Sequence, residues 1–192
     1  AAKNILIAIS VKLKGGAKMK AITLKQFFEK NLNLSKKQAA DKPCFAGINV
    51  EYGENCTYIV KTTGKAMLVF KRDSIFNEWN SVGFLTAESS YTRLSSCKYP
   101  QWQSVYEAAQ SDERIPFEAN TEQDFIKEIA SRWYLSFDEM IEIIDYVKKL
   151  KEIAKYGMIN YYQRDYTIIM ELQAFDGRLT FIYCLRPIEK KE

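Results

Sequence analysis

The feature that most constrains the fold is an apolar stretch near the C-terminal end of the printed sequence. Residues 166–187 read YTIIMELQAFDGRLTFIYCLRP, with a strand-like run on each side of Asp176-Gly177. Asp-Gly tolerates the positive φ angles of a type I′ turn, so the segment predicts a β-hairpin. Counting outward from the turn predicts a wholly apolar face made of the pairs Ala174–Leu179, Leu172–Phe181, Met170–Tyr183 and Ile168–Leu185.

The opposite face of this hairpin carries Glu171 and Gln173, and we expect it to be mixed and partly wet. A second hairpin is predicted around Thr63-Gly64, because strand-like runs flank this turn signal. Its predicted cross-strand pairs are Val60–Met67 and Tyr58–Val69. Strand-rich and helix-rich blocks are segregated along the chain, which favours an α+β fold. We expect antiparallel hairpins at about 55–72 and 165–186, packed with about four to five helices.

Helix starts are marked by capping boxes, in which a Ser or Thr is followed three residues later by Gln or Glu. The three boxes are Thr23 with Gln26, Ser35 with Gln38, and Ser136 with Glu139. Pro43 is expected to end the second helix, because proline disfavours helical geometry in the residue before it. Further helices are predicted over 102–110 and from Asn120 or Thr121 to about Trp133, and Gly157 is predicted to cap the end of the helix that Ser136 begins.

The first 43 residues differ in charge from the rest of the chain. They hold ten lysines and only two acids, Glu29 and Asp41, although the whole chain carries a net charge of only +4. Met19 is a plausible natural start, so residues 1–18 are interpreted as an N-terminal extension or a strand. Residues 19–192 are predicted to form a single α+β domain with a basic helical arm at 19–43, and such an arm favours an anionic partner.

Cysteine spacing and hydropathy indicate the cellular compartment and argue against zinc-binding and membrane-spanning proteins. The four cysteines form no C-x-x-C pair, which argues against a zinc finger or ribbon, and we interpret them as reduced, mostly buried thiols of a cytoplasmic protein. No apolar run reaches the roughly 18 residues that a membrane helix needs, so we expect no membrane association.

The chain contains no histidine. This excludes Ser-His-Asp and Cys-His nucleophilic systems and every histidine-ligated metal site. The sequence also lacks a phosphate-binding P-loop and a G-x-G-x-x-G fingerprint. We therefore expect no bound metal or cofactor and no assigned catalytic residue, and a non-enzymatic protein is favoured. A metal-independent nuclease stays open as an alternative, with the candidates Tyr161, Tyr162, Arg164, Arg178 and Arg186.

The two short helices predicted in the basic arm resemble a helix-turn-helix, whose second helix begins at Ser35 and would approach nucleic acid with its first residues. A hairpin follows them, as the wing does in winged proteins. Pro43 leaves the second helix short, and no third helix precedes the strands, so a basic contact surface is a better interpretation than a sequence reader. The predicted contacts to nucleic acid or an acidic partner are Lys25, Lys30, Ser35, Lys36, Lys37, Gln38, Lys42, Lys61 and Lys65.

Three functional hypotheses follow from the sequence. The first is a non-catalytic binding or regulatory protein that engages nucleic acid or a nucleoprotein through the basic arm. The second is a protein–protein inhibitor or adaptor without nucleic-acid affinity, whose predicted contacts are Trp79, Tyr99, Trp102 and Tyr106. The third is the histidine-free nuclease. Size, lysine content and the absence of standard catalytic motifs fit an accessory protein of a phage or mobile element.

Overall fold

The computed structural model describes residues 22–75, 83–85, 99–119 and 121–185. Predictions made for residues 1–18, Trp79, Asn120 and Arg186 lie outside these ranges. The helices are α1 Leu24–Lys30, α2 Lys36–Asp41, α3 Gln103–Gln110, α4 Glu122–Arg132 and α5 Phe137–Ile153. The strands are β1 Ile48–Tyr52, β2 Thr57–Thr62, β3 Ala66–Arg72, β4 Gly83–Leu85, β5 Ile115–Pro116, β6 Asn160–Arg164, β7 Thr167–Ala174 and β8 Gly177–Cys184.

The strands form one antiparallel sheet in the order β4-β1-β2-β3-β8-β7-β6-β5. Two meanders, β1–β3 and β6–β8, meet where β3 pairs with β8, with Val69 opposite Thr180. The two hairpins that the sequence predicts therefore supply the four central strands. The predicted α+β class, with antiparallel pairing and five α-helices over the described residues, is confirmed.

The C-terminal hairpin is confirmed, but its predicted turn is wrong by one residue. Phe175 and Asp176 are the two central turn residues, with φ of 52° and 59°, and Ala174 pairs with Gly177. Gly177 is the first residue of β8, where an added Cβ would lie 2.4 Å from the ring of Phe70. The glycine therefore permits close packing against β3 instead of supplying the turn. Leu172 now faces Leu179, and because the pairing differs by two residues, each side chain keeps its predicted face.

The turn of the first hairpin is also displaced by one residue from the prediction. Val60 pairs with Val69, and the N–H of Thr63 donates to the carbonyl oxygen of Ala66 at 2.9 Å. The central turn residues are thus Gly64-Lys65 instead of Thr63-Gly64. Gly64 has φ of 85°, which is the first-position geometry of a type II′ turn and requires glycine.

The three predicted capping boxes all form, at Thr23, Ser35 and Ser136. The fourth predicted helix begins at its other candidate cap, since the Thr121 hydroxyl accepts from the amide of Asp124. Gly157 is not the cap of α5, because that helix ends at Ile153 and Gly157 lies in the turn that follows. Local cap chemistry thus fixes helix starts better than it fixes helix ends.

One face of the sheet is covered by α1, α4 and α5 and forms the main core. Aromatic stacking joins the two layers: the ring of Tyr146 on α5 lies 4.4 Å from that of Phe181, and Phe125 on α4 lies 3.9 Å from Tyr161. Strand alternation places every second residue of β7 and β8 in this core. Its buried members on these two strands are Ile168, Met170, Leu172, Ala174, Leu179, Phe181 and Tyr183.

Of the segments that the structure describes, α3 covers part of the other face of the sheet. Trp102, Tyr106 and Ala109 pack on strand residues in a second, smaller core. An eight-residue helix is only about 12 Å long, so it cannot cover eight strands. Among the described residues on this face, Gln173 and Arg178 are exposed, in line with the predicted mixed face.

Candidate functional site

The basic arm is not a free appendage, because its first helix is part of the main core. Leu24, Phe27 and Phe28 of α1 are all buried, and the ring of Phe27 lies 5.9 Å from that of Phe175 in the C-terminal hairpin. This apolar side anchors α1 to the sheet. Lys25 on this helix is half-buried, and Lys30 in its last turn is exposed.

The second helix of the arm, α2, buries none of its side chains. Ser35 and Gln38 are occupied with each other, since the Ser35 hydroxyl accepts from the Gln38 amide at 3.3 Å and the Gln38 side chain accepts from the Ser35 amide at 3.0 Å. Lys36 and Lys37 are exposed in the first turn. Lys42 is exposed after the helix, with its Nζ 5.9 Å from the centroid of the Phe45 ring.

Lys61 is not on the surface, although the sequence places it among the contact residues. It is 3% exposed, and its Nζ donates to the carbonyl oxygen of Phe28 at 2.7 Å and to the side chain of Asn33. Burial lowers the pKa of Lys61 to about 8, against the opposing effect of the Glu29 carboxylate. Lys61 therefore ties β2 to the end of α1 and has no surface to offer a phosphate.

Lys65, at the turn of the predicted wing, is docked on α5. Its Nζ lies 3.1 Å from Glu139 and 3.7 Å from Glu142, and 4.9 Å from the centroid of the Tyr183 ring. The pKa of Glu139 is lowered, first by the Ser136 amide and further by Lys65. The turn is thus held against the protein body, unlike the free wing of a winged helix.

The aromatic residues predicted to meet a protein partner are internal where they are described. Trp102 is 4% exposed and Tyr106 is 8% exposed, and both pack α3 on the sheet. The Nε1 of Trp102 donates to Glu51 at 3.1 Å, and the Tyr99 hydroxyl donates to the carbonyl oxygen of Val60 at 3.2 Å. These side chains form the second core, so they are not open to a partner.

The candidate nuclease residues do not converge on one site. Tyr161 faces the main core, where burial raises its pKa to about 12. Arg164 is held by the carbonyl oxygen of Ala108 and by Glu113. Among the described candidates, Tyr162 shares one cavity with Arg178 on the α3 side of the sheet and another with Tyr161.

Several lysines of the arm have no acidic partner in the part of the chain that the structure describes. Lys30, Lys36 and Lys37 are exposed and make no ion pair with any described residue. In the body, several lysines lie within 3.3 Å of an acid, in the pairs Lys65–Glu139, Lys71–Asp73, Lys151–Glu122 and Lys155–Asp176. Lys127 and Lys148 of the body are exposed and, like the arm lysines, make no ion pair with a described residue. The positive charge of the arm therefore stays available to an external anion.

A groove on the α3 side of the sheet was not predicted. It is lined in part by Gln173 and Arg178, which face each other across β7 and β8. The mixed polar face of the hairpin was the signal for it. The sequence could not show, however, that α3 would leave this part of the face open.

The described residues contain no group of His, Cys, Asp and Glu side chains that could hold a metal ion. None of the helices in these ranges has the length and apolar character of a membrane span. Cys44 is disulfide-bonded, which corrects the prediction of reduced thiols at that position, whereas Cys56 and Cys184 are free thiols. Comparisons with protein-family models, curated proteins and solved structures found no match.

Proposed function

We propose that this α+β protein is a non-catalytic binding or regulatory protein that engages nucleic acid or a nucleoprotein through the exposed basic surface of α1 and α2. The observation that supports this proposal is the presence of unpaired, exposed Lys30, Lys36 and Lys37 beside an anchored helix. Lys42 extends the same surface at the end of α2.

This surface suits contact with phosphates better than base reading. Lysine needs no fixed geometry to neutralise a phosphate, and the released counterions give affinity that falls with salt. Ser35 and Gln38 form the N-terminal cap of the short α2, so few of its side chains are left to contact bases. Binding is therefore expected to depend weakly on sequence.

The test is fluorescence anisotropy with labelled RNA and DNA at about 50 to 200 mM salt. Lys36→Glu/Lys37→Glu should weaken binding at least about tenfold at low salt and reduce the salt slope by about two. Lys127→Glu/Lys148→Glu is the matched control, since these two lysines are exposed on α4 and α5. Unchanged affinity of the first variant contradicts the proposal.

A protein–protein adaptor is the second candidate, supported by an apolar patch at the α4–α5 corner. Tyr134 is 90% exposed, Phe137 80% and Ile141 43%. Exposed aromatic clusters of this kind are typical of protein contacts. The adaptor predicts a stable partner in a pull-down that survives nuclease treatment and is lost with Phe137→Ala/Ile141→Ala.

The histidine-free nuclease stays an alternative, supported only by the proximity of Tyr162 and Arg178. Incubation with labelled RNA, with and without a chelator, tests it, and intact RNA in both cases contradicts it. A cytoplasmic location is likewise a proposal, and the disulfide bond at Cys44 argues for an oxidising compartment instead.

A further inference from the structure

The polar part of the α3-side face forms an open groove that the proposed contact surface does not use. Two cavities of about 460 and 410 Å³ adjoin there and share Gln173 and Arg178. Their lining runs from Lys71 on β3, across β8 and β7, to Tyr162 on β6. The groove crosses three inter-strand spacings of about 4.8 Å, so it is roughly 14 Å long, which suits an extended ligand.

One end of the groove is held in place by a buried charge pair. Glu171 is 6% exposed, and its Oε1 accepts from Arg114 Nη1 at 2.8 Å and from the side chain of Gln110. The guanidinium of Arg114 in turn lies 4.1 Å from the centroid of the Tyr162 ring. This contact covers one face of the ring and holds the ring in its orientation.

The middle of the groove carries two exposed polar side chains. Arg178 and Gln173 are cross-strand neighbours and are exposed. Neither side chain makes a hydrogen bond or an ion pair with any other residue in the described ranges. Tyr156, 70% exposed, adds a second aromatic ring to the lining. An unpaired arginine, an amide and two tyrosines line one continuous groove.

We propose that this groove binds a short run of single-stranded nucleic acid, with Arg178 contacting a phosphate and Tyr156 and Tyr162 stacking on bases. Aromatic rings and arginine along a groove are the usual means of holding unpaired nucleotides, whose bases are free to stack. At the ~3.4 Å per nucleotide of a stacked strand, the groove holds at most about four nucleotides. This inference rests on the proposed nucleic-acid binding and specifies its single-stranded form.

The experiment measures anisotropy of labelled oligo(U), oligo(dT) and a duplex of equal length against the full chain. Tyr156→Ala should weaken binding of the single strands at least about fivefold, with an unchanged salt slope. Arg178→Ala should lower the salt slope by roughly one. Tyr134→Ala and Lys148→Ala are the matched controls, because both residues are exposed outside the groove and the arm.

The outcomes separate this inference from the function proposed for the arm. Weaker single-strand binding in both groove variants, with the duplex bound more weakly than the single strands by wild type, supports the inference. If the groove variants bind like the wild type and Lys36→Glu/Lys37→Glu does not bind, the groove proposal is overturned and the arm proposal stands. If the groove variants bind more weakly and Lys36→Glu/Lys37→Glu binds like the wild type, the groove proposal is supported and the arm proposal is contradicted. A wild type that binds none of the three probes overturns both.

Discussion

The two faces of the sheet differ in how completely the described residues cover them. Under α1, α4 and α5 the face is closed, and Phe181 and Met170 are 0% exposed. Across the same strands, the α3 side is closed over Ile169 and Ile182 and open over Arg178. Neighbouring positions on one strand thus belong to different environments, because side chains alternate between faces.

This difference separates the source of stability from the groove proposed to bind a ligand. The closed face contributes most of the apolar burial, which is the main favourable term in folding. The open face leaves polar side chains in water, where substitutions change stability little. Substitutions on the two faces should therefore have effects of very different size.

The largest expected effect is at Phe181, on the closed face. Phe181→Ala removes a fully buried ring that stacks on Tyr146, and we expect a loss of about 3–5 kcal/mol in the free energy of unfolding. Urea denaturation measures this value. Arg178→Ala on the same strand is the control, with an expected change within about 0.5 kcal/mol. Equal losses in the two variants would contradict the separation of the two faces.

The second prediction concerns the pH dependence of stability that Tyr146, on the closed face, should cause. Burial, aided by the Glu142 carboxylate, raises the pKa of Tyr146 to about 12 from 10.0. The folded protein holds this proton when the unfolded chain has lost it, so the stabilisation is complete below pH 10 and is lost as pH rises from 10 to 12. A shift of about two units corresponds to about 2–3 kcal/mol.

The measurement is urea denaturation of wild type and Tyr146→Phe at several pH values above about 9. The variant lacks the titrating hydroxyl, so its stability should fall less steeply over this window. Other buried tyrosines, such as Tyr161, still titrate in both proteins, and only the difference between the two curves is used. Parallel curves would show that the Tyr146 hydroxyl is in water.

The lysines offer a second comparison, between Lys61 inside the protein and Lys36 outside it. Burial lowers the pKa of Lys61 to about 8 from 10.5. The unfolded chain then binds more protons between these two values, so stability should rise with pH through this window. From pH 8 to about 9.5 the expected gain is about 2 kcal/mol.

Lys61→Met tests this gain, because it removes the titrating group and keeps a side chain of similar length. The gain in stability from pH 8 to about 9.5 should be about 2 kcal/mol smaller in Lys61→Met than in wild type and Lys36→Met. Only this difference is used, because other groups such as the Cys184 thiol titrate in all three proteins. The rise in Lys36→Met controls for loss of a positive charge. Parallel curves for wild type and Lys61→Met would mean that Lys61 is not buried in solution.

Periodicity and turn signals predicted the hairpins, the apolar face and the fold class, because these depend on local spacing. The turn residues were missed at Asp176-Gly177 since Gly177 is required by packing against Phe70, a contact between distant parts of the chain. The groove was missed for the same kind of reason. Its opening depends on where α3 lies, and no local pattern in 102–110 specifies that position.

Among the predicted contact residues, the sequence did not distinguish the buried lysines from the exposed ones. Lys61 and Lys37 are equal in charge, and only the packing of α1 on β2 places the first inside the protein. A signal was present, since Lys61 shares a strand face with Ile59, which is buried. Strand alternation could therefore have removed Lys61 from the contact set, although it could not have found the acids that hold Lys65.

The smallest effect compares two helix caps of the same type on differently anchored helices. Ser136→Ala removes the cap of α5, which buries Ile143 and Val147, so we expect a loss of about 1 kcal/mol in the free energy of unfolding. Ser35→Ala removes the cap of α2, which buries no side chain and can fray without exposing the core. Its expected loss is at most a few tenths of a kcal/mol. Hydrogen exchange should show faster amide exchange confined to 36–41 in Ser35→Ala, and a global loss as large as that of Ser136→Ala would mean that α2 folds as one unit with the core.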